Sequence, residues 1–359
     1  MDVIYLDFRK AFDKVPHKRL MVKVKAHGIG GKIWGWIDDR LYGRKQRITL
    51  NGRESDWVDV LSGVPQGSVL GPVLFVIYIN DIDSYVSSKI LKFADDTKIL
   101  SVVNSPEGVK QLRQHPVDLY CWSNDWLMLF NTDKCKVMNL GNKNLCVKYE
   151  LGGRELESIL EEKDLGVLIT KDLKVSAQCS RAAKTANRVM GMIRRTFTCK
   201  DEWTIMQLYK SLVRPHLEYC VQAWRPYLTR DIEMLEGVQR RATRIVYGLN
   251  DLTYEQRIGR LGITTIETRR IRGDLVEVFK IIKGFDKGDY LEFFHLSTTG
   301  LRGHNLKLFK PSFKHNVGKY TFSNRVIDSL NRLPEDIIAC DSIDNFKKKL
   351  DRLFKFCWG

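Results

Sequence analysis

Residues 62–82, SGVPQGSVLGPVLFVIYINDI, place a glycine- and proline-rich stretch directly before a long apolar one. The first half cannot form regular structure, because glycine is conformationally permissive and proline removes a backbone donor. From about Pro72 onward the residues are apolar enough for a buried helix with the proline in its first turn. The longest apolar run, VLFVIYI at 73–79, is too short to span a bilayer. The segment therefore predicts a globular domain in which an irregular loop leads into a buried helix.

Strands and helices are predicted on both sides of this segment from the period of their apolar residues. The predicted elements are strands at 2–8, 134–140 and 163–170, a hairpin at 46–60, and helices at 17–29, 31–43 and 117–130. The hairpin turns at Asn51 and Gly52, a residue pair that tight hairpin turns favour.

From residue 176 the pattern becomes helical. In SRAAKTANRVMGMIRR, apolar residues share one helix face and basic residues another. The apolar face contains Ala182, Ala186, Val189 and Ile193. Further helices are predicted at 201–224, 229–247 and 265–283, followed by a loop-like stretch from 284, a segment at 324–330 and a helix at 342–354.

Charge is distributed unevenly along the 359 residues, which carry a formal net charge of +16. Residues 1–170 hold 24 basic and 22 acidic side chains, whereas residues 171–280 hold 21 and 12, and residues 281–359 hold 14 and 9. The basic excess therefore lies in the second half of the chain. Such an excess suits a polyanionic partner or an acidic surface.

The eight cysteines are scattered, with no C-x-x-C pair and no histidine at zinc-ligand spacing. They indicate reduced thiols rather than a metal knuckle. The N-terminal residues MDVIYLDFRK lack a signal-peptide pattern. These features predict an intracellular protein, in the nucleus, the cytoplasm or both, that is neither secreted nor bound to a membrane.

Acidic residues stand at two places where a strand ends. KFADDTKIL at 92–100 places Asp95 and Asp96 between two β-prone flanks. A hairpin turn accounts for the pair, because Asp is favoured in tight turns. Asp7 ends the first strand, where an isolated Asp is usually a helix cap, although functional groups also lie at strand ends. These residues alone leave the structural and the functional interpretation open.

The aspartates can converge if the strand at 2–8 lies beside the hairpin around 93–97. Carboxylates within a few ångströms of one another repel strongly unless divalent cations neutralise them. Two-metal phosphoryl transfer uses such a site, with the metals about 3.5–4 Å apart. The sequence therefore raises the hypothesis of a two-metal site at Asp7, Asp95 and Asp96.

Three segments, in this order and spacing, resemble the palm motifs of reverse transcriptases from non-LTR retrotransposons of the LINE class. They are YLDFRKAFDKV at 5–15, GVPQGSVLGPVLFVIYIND at 63–81 and FADD at 93–96. Downstream, residues 122–141 resemble the palm segment after the acidic hairpin, and KDLGVLIT at 163–170 resembles the primer-grip strand. Residues 320–354 are similar to the tail of a jockey-like group of these elements, so the resemblance covers essentially the whole chain.

The resemblance implies an α+β fold, with a right-hand polymerase palm in which an antiparallel sheet packs on helices. Residues 1–170 would be the palm, 171–284 a basic helical thumb and 285–359 a C-terminal tail region. The implied activity is RNA-directed DNA polymerase, which adds dNTPs to a DNA primer on an RNA template. The implied cofactor is a pair of Mg²⁺ ions, with Mn²⁺ as a substitute.

The family's roles carry over to matching residues. Asp7 and Asp95 would be the main metal ligands, Asp96 a supporting ligand, and the Phe8 carbonyl a further oxygen ligand. Lys134 resembles a lysine that protonates the departing pyrophosphate, although Lys136 is close enough in sequence to leave that choice open.

Other matching residues would contact the substrates. Phe12 matches the aromatic residue that collides with a 2′-hydroxyl and so selects dNTPs, and a core phenylalanine fits the same position. Gln66 and Gly67 would shape the floor beneath the nascent pair, since glycine lets backbone approach closely; the alternative is a plain loop.

The basic face of the helix beginning at 176 would follow the phosphates of the template and primer. This face is formed by Arg181, Lys184, Arg188 and Arg195, for which a solvated charged face is the alternative. Tryptophans at helical spacing are more often core than base-stacking residues; those considered are Trp122, Trp126, Trp203 and Trp224.

The chain departs from the family at its start, which lies directly on the first catalytic strand. The family has a fingers region that holds the triphosphate, and most members have an endonuclease upstream. We therefore expect a truncated element copy or a gene-model fragment. An inactive nucleic-acid-binding remnant is the alternative function, and an RNA-dependent RNA polymerase is disfavoured by Phe12.

Overall fold

The computed structural model describes residues 1–141, 143–297, 304–313 and 316–357, which divide into two compact units, Met1–Glu161 and Glu162–Gly359. The strands of the first unit are β1 (Asp2–Leu6), β2 (Lys45–Gln46), β3 (Thr49–Leu50), β4 (Arg53–Glu54), β5 (Val58–Asp59), β6 (Lys89–Phe93), β7 (Asp96–Ser101), β8 (Lys136–Asn139), β9 (Glu150–Leu151), β10 (Arg154–Glu155) and β11 (Glu157–Ser158). Its helices are α1 (Ala11–Lys14), α2 (His17–Ala26), α3 (Gly31–Leu41), α4 (Leu70–Ile79), a 3₁₀ helix (Asn80–Tyr85) and α5 (Pro106–Asp125).

A five-stranded sheet with the order β11-β8-β1-β7-β6 organises the first unit. Strand β1 pairs antiparallel with both β7 and β8, while β11 joins β8 in parallel. Side chains alternate along a strand, so Ile4 and Leu6 share one face of β1, and both are buried. They belong to a core that also contains Ile99, Leu74 and other apolar side chains of the helices. The sheet is therefore predominantly antiparallel and packs on helices.

Helix α4 is the buried helix that the sequence predicts, with Pro72 in its first turn. Leu74, Phe75 and Tyr78 are completely buried in the first core. The hairpin of β3 and β4 turns at Asn51 and Gly52 as predicted, and both residues have positive φ angles.

The helix predicted at 117–130 was placed too late, because α5 begins at Pro106. The hydroxyl of Ser105 caps it by accepting a hydrogen bond from the Gly108 amide at 3.2 Å. Pro116 lies inside the helix and is buried, so it does not mark the helix start. Burial of Leu112 and Trp122 on either side of the proline holds the helix together despite the missing N–H donor.

The single strand predicted at 163–170 is also wrong, since β12 (Glu161–Asp164) and β13 (Val167–Thr170) form a two-stranded hairpin. Leu165 and Gly166 form its turn, and both have positive φ angles of 44° and 87°. Two consecutive residues with positive φ reverse the chain within a tight turn. Leucine is rare in that conformation, which is why the sequence did not indicate a turn.

The second unit is mainly helical. Its helices are α6 (Ser176–Thr196), α7 (Glu202–Leu208), a π-helical turn (Tyr209–Val213), α8 (Arg214–Glu218), α9 (Val221–Trp224), α10 (Thr229–Arg244), α11 (Tyr254–Arg260), α12 (Ile266–Ile282), a 3₁₀ turn (Tyr290–Glu292), α13 (Asn316–Lys319), α14 (Phe322–Arg325), α15 (Ile327–Asn331), α16 (Glu335–Ile338) and α17 (Ile343–Cys357). One core joins α6 to α10, and a second joins α12 to α17.

Helix α6 follows the predicted pattern, with Ala182, Ala186 and Ile193 buried and Val189 half-buried. The continuous helix predicted at 201–224 is wrong, because the chain passes through a π-helical turn and reverses at Cys220, whose φ is 52°. Helix α11 was not predicted, although Thr253 and Gln256 form a capping box at its start. The predicted loop after 284 lies partly outside the described residues.

No helix among the described residues is long and apolar enough to cross a membrane. The cysteines whose side chains the structure describes are all free.

Candidate active site

The pairing of β1 with β7 brings the predicted acidic residues to one end of adjacent strands. Leu6 of β1 lies opposite Thr97 of β7, so Asp7 follows β1 where Asp96 begins β7. Strands β6 and β7 form a hairpin in which Phe93 pairs with Asp96. Ala94 and Asp95 are therefore its two-residue turn. The hairpin predicted around 93–97 is thus present and lies beside the first strand, which is the condition for the aspartates to converge.

The backbone on both sides of Asp7 is fixed by the segment that precedes β8. The Asn131 amide donates to the Asp7 carbonyl at 2.7 Å, and the Asp7 amide donates to Cys135 Sγ at 3.4 Å. The Arg9 amide donates to the Leu129 carbonyl at 2.9 Å. Strand β1 is therefore extended past its last ladder pair, and Asp7 is held at a defined place.

The carboxylate of Asp7 has an unusual environment. Its Oδ2 atom is buried and receives no hydrogen bond from the described residues. Lys134 Nζ lies 3.7 Å from that oxygen, which is within ion-pair range but too long for a hydrogen bond. A buried carboxylate oxygen without a donor is costly unless a cation compensates it. Lys134, one of the two lysines that the sequence leaves open, forms this ion pair with Asp7.

The side chain of Cys135 contacts the backbone of Asp7. Its thiol is buried, and burial raises the pKa of Cys135 to about 11, with a further contribution from the negative charge of Asp7. The neutral thiol accepts a hydrogen bond from the Asp7 amide and donates one to the Asp7 carbonyl oxygen at 3.8 Å. It acts as a small apolar support rather than as a reactive group.

Phe8 is buried and stacks on Phe130, with ring centroids 4.6 Å apart. The two residues form an isolated β-bridge whose hydrogen bonds use the Asp7 carbonyl and the Arg9 amide. The Phe8 carbonyl takes no part in those two bonds. This arrangement is compatible with the predicted use of that carbonyl as an oxygen ligand.

Phe12 lies in α1, half-buried, and stacks on Phe75 of α4 with ring centroids 4.4 Å apart. Phe75 is a buried member of the first core, and Phe12 packs against that core while half-buried itself. Phe12 is therefore fixed by packing and still partly accessible, so the core role and the predicted contact with the incoming sugar are compatible at this position.

The glycine-rich loop is bonded to α1 through its backbone. The Val64 amide donates to the Phe12 carbonyl and the Gly63 amide to the Val15 carbonyl, each at 2.8 Å. Gln66 Nε2 donates to Asp13 Oδ1 at 2.6 Å. These hydrogen bonds fix the loop against α1, the helix that follows Asp7 in the chain.

Gly63 and Gly67 of this loop both have positive φ angles, 94° and 75°. A Cβ atom at Gly63 would lie 2.9 Å from backbone atoms of Phe12 and Asp13, whereas one at Gly67 would have no atom within 4 Å. Gly63 therefore permits close backbone approach, while the space around Gly67 is open.

Sequence reasoning missed three residues that build this site. Asp13 anchors Gln66, Asn131 holds the Asp7 carbonyl, and Gly63 lets the loop approach α1. The sequence signal for Gly63 was its position in GVPQGS, where a glycine before a loop often has positive φ. Asp13 and Asn131 carry no such local signal, because their partners are distant in sequence.

A divalent cation at this end of the sheet would need several oxygen ligands. Among the described residues, no three His, Cys, Asp or Glu side chains come close enough together to hold a metal ion. The donor chemistry nevertheless fits, because carboxylate and carbonyl oxygens are the ligands that Mg²⁺ prefers. The buried Oδ2 of Asp7 receives no hydrogen bond from the described residues, and the nearby Lys134 ammonium group shows that positive charge is already placed beside it.

The basic residues predicted on α6 are all exposed and lie in the second unit. Arg181, Lys184 and Arg188 recur at helical spacing, and Arg195 extends the same face toward the end of the helix. Trp122 and Trp224 are buried in the cores, and Trp126 packs against the first core. Trp203 differs from them, since 72% of it is exposed.

The structure thus combines a sheet that carries acidic residues at the end of adjacent strands with a glycine-rich loop bonded to α1. Residues 3–169 match the family described as reverse transcriptase (RNA-dependent DNA polymerase). Residues 3–169 therefore correspond to a reverse transcriptase domain.

Within this class, the chain resembles proteins of non-LTR retrotransposons. It is 23% identical over 257 residues to the RNA-directed DNA polymerase from mobile element jockey of Drosophila melanogaster, an alignment that covers 68% of this chain and 28% of that protein. It is 26% identical over 270 residues to the probable RNA-directed DNA polymerase from transposon X-element of the same species, with the same two coverages of 68% and 28%. The resemblance to LINE-type reverse transcriptases is thereby confirmed.

The chain spans 28% of the length of these two curated relatives. A solved structure of telomerase from Candida albicans in complex with a TWJ fragment of telomeric RNA aligns with 80% of this chain and 50% of that chain. The sequence identity between the two chains is 10%, and the TM-score is 0.39.

Proposed function

We propose that this chain performs, or forms the catalytic part of, RNA-directed DNA synthesis in a non-LTR retrotransposon. The reaction adds dNTPs to a primer 3′-hydroxyl on an RNA template and releases pyrophosphate. The observation that carries the proposal is the register of β1 and β7, which places Asp7 beside the Asp95–Asp96 hairpin. The reverse transcriptase match over residues 3–169 supports it.

Asp7 and Asp95, with Asp96 in a supporting role, are the residues that we propose as ligands for two Mg²⁺ ions, together with the Phe8 carbonyl. Bound divalent cations supply the positive charge that activates the attacking hydroxyl and stabilises the leaving pyrophosphate. The buried Oδ2 of Asp7, without a hydrogen-bond donor among the described residues, supports this assignment.

The neighbouring residues have proposed roles that follow from their chemistry. Lys134 carries a proton on Nζ, 3.7 Å from the Asp7 carboxylate, and can donate it to the departing pyrophosphate. The ring of Phe12, fixed by its stack on Phe75, excludes a 2′-hydroxyl from the sugar position. Gln66, held by Asp13, and Gly67 form a surface beneath the nascent base pair.

We propose that the second unit contains the thumb and that its α6 helix contacts the template–primer duplex. Arg181, Lys184, Arg188 and Arg195 are exposed on one face of that helix and supply sequence-independent attraction to phosphates.

Primer extension on an RNA template with dNTPs and Mg²⁺ tests the catalytic assignment. Asp95→Asn and Asp7→Asn are each expected to lower the extension rate by at least about 100-fold, because each removes a negative ligand without changing side-chain size. Asp39→Asn, on the exposed surface of α3, is the matched control and should extend like the unchanged protein.

Two outcomes would contradict the proposal. Extension that persists in Asp95→Asn would place the metal site elsewhere. Salt-sensitive binding of an RNA/DNA hybrid by the unchanged chain, with no extension, would support the alternative of a nucleic-acid-binding remnant, which the exposed basic face of α6 favours.

A further inference from the structure

A concave cleft of about 670 Å³ lies in the second unit between α6 and α10. The segments that follow these helices close its end, through Lys200 after α6 and Tyr247 after α10. The polar and aromatic side chains on its wall are Asn187, Arg194, Lys200, Arg241, Arg244, Tyr247 and Asn250. The first unit contributes no residue to it.

The charged side chains that line this cleft are all positive. Arg194, Lys200, Arg241 and Arg244 line it, and no Asp or Glu is among its lining residues. Within the part of the chain that the structure describes, none of these four side chains forms an ion pair. The pKa of the neighbouring Arg257 is lowered, first by burial and then by the positive charge of Arg244. The cleft therefore concentrates positive charge that the protein itself leaves uncompensated.

One of these cations has a fixed orientation. Arg241 donates from both Nε and NH2 to Asn187 Oδ1, at 3.1 and 2.9 Å. Since Asn187 is neutral, the guanidinium keeps its full charge while losing part of its rotational freedom. A positioned guanidinium of this kind suits a phosphate oxygen, because little further side-chain entropy is given up on binding.

Tyr247 adds an aromatic surface to the same cleft. Its amide donates to the Lys200 carbonyl at 2.9 Å and its hydroxyl to the Thr198 carbonyl at 3.2 Å. Although its amide and its hydroxyl both form hydrogen bonds, 63% of Tyr247 is exposed. An immobilised, exposed aromatic ring beside a basic groove is the combination that proteins use to bind single-stranded nucleic acid.

The cleft differs from the α6 face formed by Arg181, Lys184, Arg188 and Arg195. Successive residues of a helix are rotated by about 100°, so Asn187 and Arg194 project about 100° away from that face. They point toward α10, where Arg241 contacts Asn187. A strand bound in the cleft would therefore occupy a different position from a duplex bound along the α6 face.

We propose that this cleft binds the phosphate backbone of a single-stranded nucleic acid, with one base stacked on Tyr247. Its concave shape and aromatic wall favour a flexible strand over the flat surface of an acidic membrane. The proposal concerns the second unit alone and does not depend on the acidic residues of the first unit.

Fluorescence anisotropy with a short 5′-fluorescein-labelled oligouridylate RNA, measured over a series of KCl concentrations, tests the proposal in the full chain. Arg241→Gln combined with Arg244→Gln should weaken binding at least about 10-fold at low salt. The slope of log K against log salt should fall by about 0.7 for each phosphate that the variant no longer neutralises. Tyr247→Ala should weaken binding about 10-fold by removing the stacking surface, whereas Tyr247→Phe should retain it.

The matched control is Lys32→Gln combined with Lys348→Gln, which removes two exposed positive charges outside the cleft. RNA containing 5-iodouridine should also cross-link to Tyr247 under ultraviolet light. Equal affinity and salt slope for the cleft and control variants, with no adduct on Tyr247, would overturn the proposal. Loss of binding to phosphatidylserine vesicles with unchanged RNA binding would instead assign the cleft to an anionic membrane and would also overturn it.

No dNTP or extension step enters this measurement. Failure of Asp95→Asn to affect primer extension would refute the proposed catalytic site and leave the RNA-binding result unchanged. The two proposals can therefore fail separately.

Discussion

At the scale of single residues, Gly63 and Gly67 share a loop and a positive φ but differ in their surroundings. The hypothetical Cβ of Gly63 overlaps the backbone of α1, and that of Gly67 meets open space. Alanine substitutions at these two positions therefore measure separately how much steric overlap and how much a left-handed backbone conformation destabilise the fold.

Gly63→Ala is expected to lower the free energy of unfolding by about 2–5 kcal/mol, because a left-handed conformation and a forced backbone shift add together. Gly67→Ala should lower it by only about 1–2 kcal/mol, the cost of the conformation alone. Urea denaturation of the two variants measures the difference. Equal losses would mean that the loop moves freely away from α1.

The sequence indicated the charged residues of the candidate site, but it did not indicate the residues whose hydrogen bonds fix their neighbours in place. Asp7 and the Asp95–Asp96 pair were predicted as site residues because strand ends and turns have local signals. The bond between Gln66 and Asp13 joins residues 53 positions apart, so no local pattern indicates it.

Lys23 illustrates the same limit. It is buried among aromatic rings, with Nζ 3.7 Å from the centre of the Trp126 ring and 2.6 Å from Asp81 Oδ1. Burial lowers the pKa of Lys23, while the bond to Asp81 opposes this effect. A lysine in an amphipathic helix is predicted to face solvent, and only the folded structure shows otherwise.

At the scale of elements, α12 is tied to two other segments of the second unit by one buried carboxylate. Asp274 accepts hydrogen bonds from Arg225 at 3.2 Å and from Arg325 at 2.9 Å. Only 1% of the Asp274 side chain is exposed. This network connects α12 to the residue after α9 and to the end of α14.

Asp274→Ala should lower the free energy of unfolding by about 3–5 kcal/mol, because it leaves two guanidinium groups without their buried partner. Glu277→Ala is the control on the same helix. Its partner Lys280 is 3.1 Å away and both side chains are about 30% exposed, so the loss should stay within about 0.5 kcal/mol. Thermal denaturation of both variants distinguishes the cases, and similar midpoints would contradict the role assigned to the network.

Elements with a strong period, such as α6 and α4, were predicted from sequence because burial of one face or of all faces leaves a pattern. The interruptions of the predicted strand at 163–170 and of the predicted helix at 201–224 were not predicted. Leu165 and Cys220 have positive φ, which their residue types rarely adopt, so tertiary contacts and not local preference place them there. The hydroxyl of Tyr219 donating to the Leu165 carbonyl at 2.9 Å is one such contact.

At the scale of the whole molecule, the net charge of +16 predicts binding to nucleic acid that weakens steeply with salt. The excess in residues 171–280, 21 basic against 12 acidic side chains, assigns most of this effect to the second unit.

Replacing Arg181, Lys184, Arg188 and Arg195 together by glutamine should reduce the salt slope for an RNA/DNA hybrid by about 0.7–0.9 for each phosphate that these side chains neutralise. Filter binding over a KCl series measures this slope. The control replaces four exposed lysines elsewhere and should change it little; these are Lys25, Lys32, Lys143 and Lys348. A solvated face that does not touch the duplex would give equal slopes for both variants.

Strand β1 lies at the centre of its sheet, between partners that follow it at great distance in the chain. Leu6 pairs with Thr97, and Asp2 pairs with Asn139. Pairings this remote close slowly, because a long loop must be ordered before the strands can meet. Asp7 therefore meets the Asp95–Asp96 turn only after an intervening loop of about 90 residues has been ordered. This end of the sheet is therefore expected to form later than the local helices of the first unit, which need no such loop closure.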